Sequence, residues 1–199
     1  VLKHLENAAD ETPKPGDSRL QNVENHLIAT PKQSLRAAAH AVSEAGMTPL
    51  MLGDSLEGES RDAGKLHAEK AMQIQKNGSP VSPPAVILSG GETSVTVKGS
   101  GRGGPNTEFM LALLQELRGQ DGIWAIACDT DGIDGTEDNA GAFISPESFK
   151  KSEELGLDPS GFLSNNDSYS FFHELGDLVS PGPTMTNVND FRAVLVLPA

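Results

Sequence analysis

At 199 residues the chain can form one large domain or two small ones, and 37% apolar with 22% charged residues is the mix of a globular protein with a real core. The net charge of −13 argues against a nucleic-acid or acidic-membrane surface, and no run approaches the roughly 18 apolar residues of a membrane span. The single cysteine, Cys128, excludes an internal disulfide framework and fits a reducing cytoplasm.

The chain opens on Val1 with no basic-then-apolar leader, and it reads as a fragment of a longer protein. Residues 1–25 suggest a weak helix ended by Pro13, Pro15 and Gly16, then a polar connector. A short strand is expected at 26–29. Thr30 then serves as N-cap, Pro31 as the first helical residue and Gln33 as the closing member of a capping box. Leu35, Ala38, Ala39, Val42 and Ala45 keep helical spacing until Gly46 stops the helix. A second strand follows at 48–52, and Asp54, Glu57 and Glu59 lead into a helix running to about Lys76. Strand and helix alternating at this spacing make a βαβ-type unit.

The turn-rich stretch 77–84 is the expected boundary, dividing the chain into 1–80 and 81–199. Beyond it, strands are expected at 85–88, 93–98, 123–128 and 191–197, with helices at 107–117 and near 146–155 and 168–175. Internal repeats and low-complexity segments are absent. The fold class is α/β: a βαβ-type unit followed by a mixed-sheet α/β domain.

Residues 89–108 concentrate glycine (Gly90, Gly91, Gly99, Gly101, Gly103, Gly104) around Arg102 and the carboxylates Glu92 and Glu108. Such a stretch offers backbone N–H groups to an anion rather than side chains to a core. Gly99, Gly101 and Gly104 satisfy the G-x-G-x-x-G dinucleotide fingerprint ahead of a helix. Two features speak against that reading. The alternation in 93–98 suits a half-exposed strand, and the acid after the next strand, Asp129, falls later than the ~20 residues expected. The plain alternative is a structural hairpin and loop. A Gly-Lys-Ser/Thr phosphate loop is absent.

Asp129, Asp131 and Asp134 are interleaved with glycine directly after an apolar strand, where ligands of open α/β sheets collect. An EF-hand would need its fifth and sixth positions filled by an oxygen ligand and glycine, but Ile133 and Asp134 stand there. Binding of a hard cation through one or two of these carboxylates, with phosphates completing the shell, fits better than the bare turn-forming alternative. Residues 180–190 crowd amides and hydroxyls without apolar filling, a loop suited to orienting hydroxyls or phosphates. In 165–168, Asp167 or Asn166 is expected to cap a helix. The five histidines show no metal-ligand spacing, and Cys128 reads as packing.

These segments together resemble the type-2 glycerate kinase family, also known as the hydroxypyruvate reductase or tartrate-utilisation group, whose C-terminal domain is called MOFRL. The matching segments are 89–93, 101–104 with Asn106 and Glu108, 130–135, 166–168 and 182–190; upstream, 11–17 and 56–60 look like the end of the family's N-terminal domain. The resemblance implies transfer of the ATP γ-phosphoryl group to the 2-hydroxyl of D-glycerate, with Mg²⁺. It implies an active-site lining that includes Glu92, Asp131 and Asn187. In that setting Asp131 or Asp134 holds Mg²⁺ or draws the hydroxyl proton, while Thr186 and Asn187 orient substrate. The Gly90 and Gly91 amides and Arg102 meet anionic oxygens, and Thr93 and Asn106 join the substrate- and nucleotide-binding set. The expected partners are a small hydroxy acid and the missing N-terminal domain, and a homodimer is compatible with the pattern. An NAD(P)H-dependent hydroxypyruvate reductase and a non-catalytic binding domain are the alternatives. Pro105 stands where the family usually carries a second arginine, and a lysine supplied by the N-terminal domain lies outside this chain. The chain alone is therefore expected to be inactive.

Overall fold

In the computed structural model, residues 2–7 and 12–199 are described. Residues 1 and 8–11, which include part of the expected first helix and the first residue of the 11–17 segment, lie outside them. Seven α-helices are present among the described residues: α1 (Leu2–Asn7), α2 (Pro31–Glu44), α3 (Ser60–Asn77), α4 (Pro105–Leu117), α5 (Pro146–Glu154), α6 (Pro159–Ser164) and α7 (Ser168–Leu175). Six strands, β1 (Thr48–Leu56), β2 (Ala85–Gly91), β3 (Ile123–Asp129), β4 (Gly141–Ile144), β5 (Leu178–Val179) and β6 (Asp190–Val196), make one sheet ordered β1-β2-β6-β3-β4-β5. The β1–β2 pair is parallel and every other pair antiparallel, so the sheet is mixed and the class is α/β. Among the described residues no helix is long and apolar enough to cross a membrane.

Local sequence explains the helices that hold the sheet. Thr30 caps α2, its Oγ1 accepting the Gln33 N–H at 3.2 Å, with Pro31 in the first turn. Gly78, in the left-handed region, ends α3. Helices α3 and α4 cover one face of the sheet, where Ala68, Ala71 and Ile74 meet Phe109, Leu113 and Leu114 over Ile87, Val194 and Val196. Gly64 permits the close helix contact: a Cβ there would stand 2.4 Å from the Phe109 carbonyl oxygen. Helix α2 covers the other face only beside β1, β2 and β6, where Leu35 packs on Val86 and Leu88.

Two expected strands do not form. At 26–29 the backbone has no strand partner and Leu27 and Ile28 are 85% and 91% exposed; β1 is the edge of the sheet, so the βαβ unit is β1–α3–β2. Residues 93–98 make a single bridge, Ser94 to Glu59. Beyond it their N–H groups go to side chains: Thr96 N–H to Glu59 Oε2 and Lys98 N–H to Asn166 Oδ1.

Strands β1, β2 and β3 run in one sense and β6 in the other. Their carboxyl ends therefore share an edge with Asp190, the first residue of β6, and the loops after β2, β3 and β5 open on that edge together. The 77–84 connector joins α3 to β2, which lies beside β1 in the same sheet.

Candidate active site at the carboxyl edge of the sheet

Two loops form the rim, 130–140 and 180–189. The Thr130 hydroxyl stitches them, donating to the Asn189 carbonyl at 2.8 Å and accepting from the Val188 N–H at 2.8 Å. Thr184 N–H adds a bond to the Asp131 carbonyl at 3.0 Å. This brings Asn187 Nδ2 to 3.3 Å from Asp131 Oδ2, while Asp131 Oδ1 accepts the Ile133 N–H at 2.9 Å. Thr186 is exposed beside Asn187, and Glu92 is exposed at the end of β2, its N–H bonded to the Leu56 carbonyl. Glu92, Asp131, Thr186 and Asn187 thus share the strand-end edge. Among the described residues no three His, Cys, Asp or Glu side chains gather as a metal cage. A single carboxylate such as Asp131, completed by phosphate oxygens and water, is the donor set that Mg²⁺ ordinarily takes.

Several expected ligand-binding residues lie beneath this rim as its support. Asp190 Oδ2 accepts from Thr93 N–H and Arg192 Nη2, and its Oδ1 accepts from Asn106 Nδ2 at 2.7 Å. Thr93 and Asn106 are buried in these bonds, so they brace the edge from inside. Asp134 is buried too. Its oxygens accept the Asn106 and Thr107 N–H groups, the Thr107 hydroxyl and Asn106 Nδ2, which places the carboxylate on the N-terminus of α4. Burial pushes this carboxyl above the ordinary aspartate range, against the pull of those donors. With both oxygens occupied it faces no ligand, and the expected metal or base role falls away from it. Gly90 and Gly91 are buried within β2 between β1 and β6. A Cβ on Gly91 would stand 2.2 Å from the Leu56 nitrogen and one on Gly90 3.2 Å from the Asp190 carbonyl oxygen, so these glycines serve close strand packing inside the sheet rather than an open anion loop.

The fingerprint glycines also pack against protein. Asn166 Oδ1 accepts from Lys98 and Gly99, Asn165 Oδ1 from Ser100, and Asp167 Oδ1 from Arg102. A Cβ on Gly99, Gly101 or Gly104 would meet Asn165, Asp167 or Asp134 at 2.5 Å or less. Asp167 is the N-cap residue of α7, as expected, but its side chain is spent on this loop instead of the cap. The seat that a pyrophosphate takes in a dinucleotide fold, at the helix N-terminus, is filled here by Asp134. Pro105 occupies the first position of α4, where its missing N–H costs nothing. Arg102 lines a second cavity with Gly132 and Ile133, the residues that follow Asp131. It is ion-paired with Glu137 and lies 4.5 Å over the Tyr169 ring.

On the α2 side of the edge a cavity of about 720 Å³ opens between Thr30, Ser34, Asp129, Thr184, Val188 and Phe191. Burial, then the charges of Asp131 and Asp190, push the Asp129 carboxyl up to about 6, against the Asp131 N–H. Burial likewise pushes the Cys128 thiol up to about 12, which keeps it unreactive.

Arg192 was not legible as part of this site. It is wholly buried among Asp190, Thr93 and the Phe109 ring, 5.1 Å away. The available signal was strand alternation, since Asp190, Arg192, Val194 and Val196 share one face of β6.

A mixed sheet with acid, amide and hydroxyl groups gathered at its strand ends defines an α/β domain with its polar loops on the edge where ligands of open α/β sheets collect. Residues 85–190 match the MOFRL family, and the chain belongs to that family. A protein of Agrobacterium vitis named "Putative hydroxypyruvate reductase" is 52% identical over 94% of this chain and 42% of its own length. The D-glycerate 2-kinase of Thermotoga maritima is 37% identical over 94% of this chain and 44% of its own. The crystal structure of a glycerate kinase from Thermotoga maritima matches 98% of this chain and 49% of that one, with a TM-score of 0.85 and 36% identity. The chain spans less than half the length of these relatives.

Proposed function

We propose that the chain supplies one side of a glycerate 2-kinase active site, which transfers the ATP γ-phosphoryl group to the 2-hydroxyl of D-glycerate. The observation that carries this reading is the Asp131–Asn187 contact at the strand-end edge that also bears Glu92, in a chain of the MOFRL family. Relatives named as glycerate 2-kinases support the substrate. The other side of the cleft comes from the remainder of a longer polypeptide, as the length of the relatives suggests.

Phosphoryl transfer needs positioning and charge neutralisation more than covalent help. Asp131 would hold Mg²⁺ together with phosphate oxygens, and the ion neutralises charge on the transferring group. Asn187 and Thr186 orient the hydroxy acid. Glu92, exposed at the end of β2 on the same edge, would accept the 2-hydroxyl proton as the hydroxyl oxygen bonds to the γ phosphorus and the bond to the β-phosphate oxygen breaks, releasing ADP. Arg102 is already paired with Glu137, so the cation that faces phosphate comes from the rest of the polypeptide. A reductase would need a dinucleotide seat, and Asp134 fills the one that the glycine pattern suggested.

The test is an assay of the full-length polypeptide with D-glycerate and Mg-ATP beside one with hydroxypyruvate and NAD(P)H. ADP formation is expected, with Asp131→Asn lowering kcat at least about 100-fold. NAD(P)H consumption without ADP formation overturns the reading. The 199-residue chain alone is expected to turn over neither pair.

A further inference from the structure

The cavity of about 720 Å³ on the α2 side has a composition that selects among the pieces of the proposed substrates. Among the described residues no lysine, arginine or histidine lines it. Val179, Val188, Phe191 and Ala140 give it apolar walls, while Thr130, Thr184 and Thr186 contribute polar groups at the rim. Among the described residues its one carboxylate is that of Asp129. A triphosphate or a glycerate carboxylate would meet no cation here and would stand beside an aspartate, which disfavours both. The neighbouring cavity of about 560 Å³ is no better for an anion, because its Arg102 is paired with Glu137 and Asp138 lies beside it.

We propose that the larger cavity takes the adenosine moiety of the nucleotide, an inference that rests on the kinase reading above. Adenosine is the uncharged part of the two substrates, a flat ring with a hydroxylated sugar. Apolar walls suit the ring faces, and a carboxylate is the group that dinucleotide sites set against ribose hydroxyls. Location agrees with composition. Thr186 and Val188, both lining the cavity, flank Asn187, and Thr184 N–H is bonded to the Asp131 carbonyl. A nucleoside seated here directs its 5′-phosphates toward the Asp131–Asn187 edge. The volume lies within the range of small-molecule sites, roughly 300–1,000 Å³.

The experiment titrates the 199-residue chain with adenosine by calorimetry and by amide NMR, then repeats the titration with tripolyphosphate and ADP. Adenosine is expected to bind saturably, shifting the Thr130, Thr184 and Val188 amides. ADP should compete with it, while tripolyphosphate should not. Ser34→Trp, which puts an indole into the cavity, should weaken adenosine binding at least tenfold. Asp129→Asn gives a second variant that leaves the volume intact, expected to weaken it severalfold. Absence of adenosine binding, shifts confined to other residues, or affinity unchanged in both variants would overturn the proposal. Competition by tripolyphosphate would do so as well. Failure of the kinase reading is separable: adenosine bound here without ADP formation by the full-length polypeptide overturns that reading alone.

Discussion

Arg192 shows how much of this edge depends on a group that no ligand touches. Its Nη2 binds Asp190 and Thr93 in the interior, while Nε and Nη1 have no hydrogen-bond partner among the described residues. Burial lowers the pKa of the guanidinium, and the Asp190 charge raises it in return. A buried ion pair of this kind is weak evidence for stability as a whole, but removal of one partner strands the other. Arg192→Met should therefore destabilise the chain by about 3–5 kcal/mol in urea unfolding. Adding Asp190→Asn should recover part of that loss, because no bare carboxylate then stays buried. A single variant within 1 kcal/mol of the parent (roughly the worth of an exposed pair) would mean the edge does not need the pair. The residue was hidden because an arginine in an apolar strand ordinarily snorkels to solvent. Asp131 and Asn187, which the fold brings into contact, stand out as candidates in the sequence because both sit in short polar loops with no core to fill.

The elements were legible where capping and periodicity agreed. Thr30, Pro31 and Gly46 bracket α2, and the leucine-rich run after Pro105 sits inside α4. They failed where hydrogen bonds run to side chains: residues 93–98 alternate like a strand, yet Glu59 and Asn166 take the place of a neighbouring strand. Short pieces such as β4, β5 and α6 are held by the surrounding packing and carry too few residues for a pattern. Helix α3 has a polar tie of its own to the sheet. His67 is buried with Nδ1 2.8 Å from the Ala63 carbonyl and Nε2 2.8 Å from the Ser89 hydroxyl, so Nδ1 donates and Nε2 accepts. Burial lowers its pKa from 6.5 to about 4. The unfolded chain thus takes up a proton near pH 6.5 and the folded chain only near pH 4, so protonation favours unfolding. The contribution is present in full above pH 6.5 and is lost as pH falls towards 4, on the order of 3 kcal/mol. Urea midpoints measured from pH 7.5 to 4 should fall accordingly, and His67→Gln should flatten the slope over that window. An equal slope in the variant would assign the loss to other groups.

At the scale of the whole molecule, the family match begins at residue 85, the first residue of β2, but the packed unit begins earlier. The 77–84 stretch reads as a boundary because it is rich in proline, serine and glycine, whereas sheet pairing joins residues far apart in sequence. Here Thr48 pairs with Ala85 and Leu50 with Ile87, across the whole of α3. All seven residues of β2 are buried, so cutting the chain before it would turn an interior strand into an open apolar edge, a template for aggregation. The same cut removes α3 from α4, uncovering Phe109 and Leu113. Ile74 alone contributes about 1.5–3 kcal/mol by burial, a large share of the 5–15 kcal/mol by which a domain is ordinarily stable. Residues 85–199 on their own should accordingly aggregate or unfold without cooperativity, while residues 30–199, which keep α2, β1 and α3, should retain one sharp urea transition monitored by Trp124 fluorescence. A monomeric 85–199 with its own cooperative transition would show instead that the MOFRL region is a self-sufficient domain and that the connector at 77–84 is its physical border.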